Sequence, residues 1–345
     1  MKRDEQEELM PKALITGING QDGSYLAELL LAKGYEVHGT VRRSSLESRE
    51  KLVNIAAIEK KVSLHPVMLD NHLSVYKLIQ QVQPDECYHL AASSFVSYSF
   101  EDEASIIATN FNSTHYLLSC IRELTPQCRF YFAGSSEMIG NAAAAPQNET
   151  TPFQPRSIYG ISKLASFHVV RAYRDYHGLF ACTGITYNHE SERRGRAFVT
   201  RKVTSQVAKI ALGIENCLEL GNLDASRDWG YAPEYVEAMW LMLQNPAGPR
   251  DYVIATGKLH SVRDLLQVAF SAVGLDYTQY VKVNEEFFRP GETVPLVGDA
   301  SKIRRELGWQ PRISFTEMIH RMVEHDRNSL AVSSPGGFSR TDTIQ

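Results

Sequence analysis

The run Ala13-Leu-Ile-Thr-Gly17-Ile-Asn-Gly20-Gln-Asp-Gly23 decides how the rest of the chain reads. It opens on a short, largely apolar segment that stops at glycine, as a buried strand does. Apolar residues then recur at helical spacing from Tyr25 to Lys33, and Gly34 ends them. A strand, a glycine-rich turn and a helix in that order bring backbone N–H groups at the helix start close to a bound pyrophosphate. Three glycines alone carry little weight, because loops are often glycine-rich. Their place between a strand and a helix is what makes the signal.

Outward from this unit the alternation continues. Tyr35 to Val41, Glu86 to Leu90 and Arg129 to Ala133 read as further strands, with helical stretches at Leu73 to Val82 and Asn112 to Glu123. Strands alternating with helices need crossover connections, which make the strands parallel and cover both faces of the sheet. The expected fold class is α/β, a Rossmann-type doubly wound parallel sheet over residues 11–186. Past Tyr187 the segments turn less regular and rich in Arg, Asn, Gly and Pro, with helices returning at Pro233 to Leu243 and Ser261 to Ala272. This pattern predicts a smaller discontinuous α/β lobe for substrate over 187–330, with parts of about 220–260 returning to the sheet domain. Residues 331–345, rich in Ser, Gly and Thr, read as a disordered tail. In such a sheet, ligands sit in the crevice outside the carboxyl ends of the strands.

Of the 345 residues, 36 are Lys or Arg and 40 are Asp or Glu, a formal net charge of −4. So even a balance lacks the positive field of a nucleic-acid-binding protein. The five cysteines (Cys87, Cys120, Cys128, Cys182, Cys217) are odd in number and show no C-x-x-C spacing. They read as reduced thiols, mostly filling core, with neither a disulfide frame nor a metal site implied. Residues Met1 to Met10 are polar and acidic, and no apolar run is long enough for a bilayer. A cytoplasmic protein without a membrane anchor is expected.

Two further motifs carry chemistry. The second strand ends in Arg42-Arg43-Ser44, where a dinucleotide-binding sheet that prefers NAD places an acidic residue on the ribose. Guanidinium groups there suit the 2′-phosphate of NADP; the plain alternative is a solvated basic turn. Tyr159-Gly-Ile-Ser-Lys163 sets a phenol and an ammonium on one face of a helix expected over Ser162 to Tyr176. A nearby cation lets such a tyrosine act as a base near neutral pH. Upstream, the strand that ends in Phe132-Ala-Gly-Ser135-Ser-Glu137 offers hydroxyls and a carboxylate at its terminus. Y-x-x-x-K alone is common by chance; its company is what counts.

Together these motifs resemble the extended short-chain dehydrogenase/reductase superfamily. Longer stretches are similar to the GDP-mannose 4,6-dehydratase family within it: G-I-N-G-Q-D-G-S-Y-L (17–26), S-E-M-I-G (136–140), Y-N-H-E-S-E-R-R-G (187–195), F-V-T-R-K (198–202), L-G-N-L-D-A-S-R-D-W-G (220–230) and Y-V-E-A-M-W-L-M-L-Q (235–244). The likeness runs from Pro11 to about Asp326. It implies that Tyr159 takes a proton from the sugar's 4-hydroxyl while NADP accepts the hydride, that Lys163 holds the nicotinamide ribose, and that Ser135 bonds the 4-oxygen. Glu137 would remove the proton on carbon 5 and then help expel the 6-hydroxyl, with a pKa raised by apolar surroundings.

The resemblance places Gly17, Asn19, Gly20, Gln21, Asp22, Gly23, Arg42, Arg43, Ser44, Leu90, Ala91, Ala92, Ser94, His189 and Arg194 along the cofactor. It places Ser94, Asn188, Lys202, Arg227, Arg289 and Glu292 at the nucleotide sugar, the two arginines as diphosphate clamps. Any one of these arginines, taken singly, also reads as surface charge. Related enzymes imply a homodimer or homotetramer, with the loop Arg42 to Glu50 meeting a neighbour. The chain departs from the family pattern at Ser135 (usually Thr), at Ile158 and Glu192 (often Pro), at Phe132 (usually polar) and at Met68, where an aspartate normally contacts adenine; Asp70 lies nearby. A related sugar-nucleotide dehydratase, a 4-epimerase or a non-catalytic relative are the competing readings. A 4-epimerase has no need of a carboxylate at Glu137.

Overall fold

A computed structural model describes residues 10–93, 100–287 and 294–333. Its central sheet is built from β1 (Lys12–Thr16), β2 (Glu36–Val41), β3 (Ser63–Pro66), β4 (Glu86–His89), β5 (Arg129–Ser135), β6 (Ala181–Thr186) and β7 (Tyr252–Ile254), in the order β7-β6-β5-β4-β1-β2-β3. Every neighbouring pair is parallel. The chain winds outward from β1 to β3 and then jumps back to β4. A crevice therefore opens between the carboxyl ends of β1 and β4.

All the strands but the edge strand β3 are buried on both faces, which is why they read as largely apolar runs. Ala13 and Ile15 pack on one face with Val37, Tyr131, Tyr252 and the helices α1 (Gln21–Ala32) and Ala232–Leu243. Leu14, Cys87, Phe130 and Phe132 pack on the other with α2 (His72–Val82), α3 (Phe100–Leu124) and α4 (Ile158–His177). The four cysteines in this sheet domain are buried and unpaired, as expected of core thiols, and Cys217 is half-buried and unpaired. No described helix is long and apolar enough to cross a membrane.

Two compact units emerge. The first holds the described parts of Met1–His189, Arg227–Leu259 and Glu292–Arg312; the second holds those of Glu190–Ser226, His260–Gly291 and Ile313–Gln345. The second unit is more regular than its sequence suggested. Helices run over Val199–Ala211 and Phe315–Ser333 and pack together, joined by the buried pair Arg201–Asp326. The last helix continues through Ala331 to Ser333, inside the span expected to be a tail. Residues 334–345 lie outside the described residues.

Candidate functional site

The glycine turn is shaped by close backbone approach. Gly17 takes a positive φ of 73°, and a Cβ on Gly23 would lie 2.4 Å from the Gly17 carbonyl oxygen, so α1 could not start this close to β1 with any larger residue. The helix begins after Gly20 with no side-chain cap, the arrangement that receives an anion at a helix start. Asn19 spans the turn: its side chain donates to the Lys51 carbonyl (2.9 Å), and Asn54 donates to its own carbonyl (3.1 Å). Gln21 donates to Asp22 and to the His189 carbonyl, both at 3.0 Å. The Asp22 carboxylate is 2.8 Å from His189 Nε2. Two residues expected on the cofactor thus hold each other.

Across the crevice, Leu90, Ala91 and Ala92 follow β4 and are half-buried. Their path is set by a buried polar chain. Thr16 Oγ1 accepts the N–H groups of Leu90 and Ala91 (3.0 Å each), so its own proton goes to His89 Nδ1 at 2.8 Å. The other ring nitrogen of His89 meets Ser113 Oγ at 3.1 Å. This pattern needs a neutral imidazole, and burial, helped by the Lys163 charge, pushes the His89 pKa down to about 3. Asn110 adds a second tie, accepting from Ser93 N–H (2.9 Å) and donating to Ser162 Oγ (3.1 Å).

Arg42, Arg43 and Ser44 lie exposed directly after β2, with Arg42 capping the short helix Arg43–Leu46. Met68 and Asp70 lie past the end of β3, and the Met68 side chain is 67% exposed.

The residues expected to carry the chemistry lie where β5 runs into α4. The Ser135 hydroxyl accepts from Glu137 N–H (3.2 Å), capping the turn Ser136–Met138 and leaving its own proton to donate elsewhere. Ser157 caps α4 by accepting from Gly160 N–H (3.0 Å). A Cβ on Gly160 would fall 2.4 Å from the Glu137 carbonyl oxygen, so only glycine lets the helix start sit on this turn. Ile158 takes the first helical position, where proline is merely pre-organised and not required. Lys163 is 3% exposed, donates to the Ala133 carbonyl (2.7 Å), and lies 5.9 Å from the Tyr159 ring centre and 4.8 Å from that of Phe132. Burial drives its pKa down to about 7, against a smaller upward pull from Asp22.

Glu137 does not sit in the apolar surroundings expected of it. Its side chain is 27% exposed, and Arg156 Nε lies 4.0 Å from its carboxylate. The sequence reading passed over Arg156, although a basic residue three positions before Tyr159 was there to be noticed. Thr16, His89 and Asn110 were missed as well. The signal available for the first two was their place at the ends of β1 and β4.

Of the remaining expected residues, Asn188 follows β6 and is half-buried, and Arg227 is half-buried at the start of the returning segment. Arg194 and Lys202 belong to the second unit. Arg194 is 3.0 Å from Glu190 and stacks on Phe198 at 3.6 Å. Lys202 donates to the Glu219 carbonyl (2.8 Å) and stands over the Phe287 ring. Glu192 gives its carbonyl to Arg201. Ser94, Arg289 and Glu292 lie outside the described residues.

Comparison with known proteins agrees with this geometry. The sequence model of the family described as GDP-mannose 4,6 dehydratase matches residues 14–322. GDP-mannose 4,6 dehydratase 2 of Arabidopsis thaliana is 47% identical over 326 residues, covering 91% of this chain and 86% of its own. GDP-mannose 4,6 dehydratase of Homo sapiens is 44% identical over 338 residues, covering 91% of each chain. Among solved structures, UDP-glucose 4-epimerase of Thermus thermophilus in complex with NAD superposes with a TM-score of 0.79 at 27% identity, covering 92% of this chain and 99% of its own. The chain belongs to the GDP-mannose 4,6-dehydratase family, a family of hydro-lyases.

Proposed function

We propose that this family member converts GDP-mannose to GDP-4-keto-6-deoxymannose with NADP, through the residues gathered where β5 meets α4. The observation that carries the reading is the seating of the Tyr159–Lys163 helix start directly on the Glu137 turn, allowed by Gly160. Tyr159, Lys163, Ser135 and Glu137 all belong to the elements of that junction, which supports a reading in which a phenol, an ammonium, a hydroxyl and a carboxylate share oxidation at carbon 4 and elimination across carbons 5 and 6.

The residues present suit a nicotinamide dinucleotide. The uncapped start of α1 offers N–H groups to a pyrophosphate, and Arg42 and Arg43 offer guanidiniums to a 2′-phosphate. Lys163, buried and held by a neutral carbonyl, would hold ribose hydroxyls. A bound nicotinamide would supply the hydride acceptor for carbon 4 of the hexose and the hydride donor for carbon 6.

The chain itself handles the protons. Tyr159 accepts the proton of the 4-hydroxyl, assisted by Lys163, and Ser135 donates a hydrogen bond to the 4-oxygen. The 4-keto group acidifies the proton on carbon 5, which Glu137 removes and then delivers to the departing 6-hydroxyl. Water leaves, and the proton taken at oxygen 4 balances the one added back at carbon 5. Asn188, Lys202, Arg227, Arg289 and Glu292 are the proposed contacts to the nucleotide sugar, and Ser94 is proposed for both it and the cofactor. Arg194 and His189 complete the cofactor's surroundings, and the chain works as a cytoplasmic homodimer or homotetramer.

Incubation of the purified protein with GDP-mannose is expected to yield a product lighter by one water without added cofactor. Denaturing the protein is expected to release NADP. An unchanged mass with UDP-sugars consumed instead would overturn the substrate, and release of NAD would overturn the cofactor assignment.

A further inference from the structure

We infer that Arg156 is a positioning residue for Glu137, holding that carboxylate aimed for proton removal at carbon 5; this rests on the role given to Glu137 above. The guanidinium Nε lies 4.0 Å from Glu137 Oε2, with the two side chains 22% and 27% exposed. A loose surface pair of that length would matter little. The backbone around Arg156, however, is fixed on both sides.

Two residues before it, Gln154 forms a parallel bridge with Gly140. Gln154 N–H donates to the Ile139 carbonyl (3.0 Å), and Asn141 N–H donates to the Gln154 carbonyl (2.9 Å). One residue after it, Ser157 caps α4, and Gly160 rests on the Glu137 carbonyl. Both anchors therefore reach the turn that carries Glu137, or its immediate continuation. The sequence places Arg156 between them, so its position relative to Glu137 is set by backbone contacts and not by a flexible stem alone.

The other titratable groups that α4 brings to this turn are Tyr159 and Lys163, and the Lys163 ammonium is engaged at the Ala133 carbonyl. β5 and β6 end in Ser135 and Thr186, which do not titrate in the working range. A guanidinium held beside a carboxylate limits where its oxygens can swing. In the proposed elimination Glu137 acts as the base. The C5–H bond breaks, its proton passes to Glu137, and its electron pair forms the C5=C6 bond as the C6–O bond breaks. The leaving oxygen takes the proton from Glu137 and departs as water, which restores the carboxylate.

The test compares Arg156→Met and Arg156→Lys with the unaltered protein, with thermal unfolding followed alongside. Arg156→Met is expected to lower kcat for dehydration about tenfold to a hundredfold with KM little changed. Arg156→Lys is expected to restore most of that loss. Added to Glu137→Gln, Arg156→Met is expected to slow residual elimination no further. A rise in KM with kcat unchanged, equal losses in the Met and Lys variants, or a full additional loss on top of Glu137→Gln would each overturn the inference. If Glu137→Gln itself dehydrates at full rate, the role of Glu137 fails. If Glu137→Gln is inactive and Arg156→Met is unaffected, only the role of Arg156 fails.

Discussion

The pocket around Lys163 and the turn around Glu137 lie on either side of the β5–α4 junction, and they treat charge in opposite ways. Lys163 is sealed in, 3% exposed, with a neutral carbonyl for a partner, so burial works against its ammonium form. Glu137 is partly open to water and has a guanidinium 4.0 Å away. The difference teaches how one junction can hold both kinds of group: Lys163 is enclosed against a neutral carbonyl, whereas Glu137 shares its surroundings with water and a guanidinium. The buried pair Arg201–Asp326 in the second unit is a third arrangement, as deeply buried as Lys163 but matched, with Arg201 binding both carboxylate oxygens and Thr204 adding a further bond.

The strongest way to separate the two sides of the junction is to remove the phenol. Tyr159→Phe is expected to cut dehydration by about 10²–10⁴-fold, with no 4-keto hexose formed at any time after mixing. Appearance of that intermediate at the normal rate, followed by mass spectrometry, would assign the first proton transfer elsewhere. Next in size, Asp326→Ala leaves Arg201 charged, buried and unmatched, and is expected to cost about 3–5 kcal/mol in urea unfolding. A loss below about 1 kcal/mol would mean that the matched pair contributes little beyond its packing.

A further effect concerns the pH dependence of stability without ligand. Lys163 has a folded pKa of about 7 against an ordinary value of 10.5, so between those values the unfolded chain binds a proton that the folded chain does not. Stability from this group therefore rises as pH climbs from about 7 toward 10, and below pH 7 its cost is complete. Relative to Lys163→Met, the unaltered protein is expected to gain stability across that window. Parallel curves would show that Lys163 keeps its charge when buried.

The cofactor side of this molecule was open to reading because its chemistry is local. Gly17 to Gly23, the Tyr159–Lys163 spacing and the strand ending at Glu137 each sit within a few residues, on elements whose periodicity is plain. What stayed hidden depends on distance in sequence. Arg201 and Asp326 are 125 residues apart, and no local spacing in the sequence connects them. The short strands Ser63–Pro66 and Tyr252–Ile254 gave too little pattern to detect. Glu137 was expected in apolar surroundings, but its side chain is 27% exposed with Arg156 4.0 Å away. Its neighbour Arg156 arrives through the Gly140–Gln154 bridge, a backbone pairing that leaves no mark on composition or spacing.

The central claim is that oxidation at carbon 4 and elimination across carbons 5 and 6 belong to different side chains at one junction. Single-turnover mixing of Glu137→Gln with GDP-mannose, with the hexose analysed at intervals, tests it most directly. GDP-4-keto-mannose that retains its 6-hydroxyl is expected to accumulate, with reduced nicotinamide persisting beside it. GDP-4-keto-6-deoxymannose forming at the unaltered rate would contradict the account.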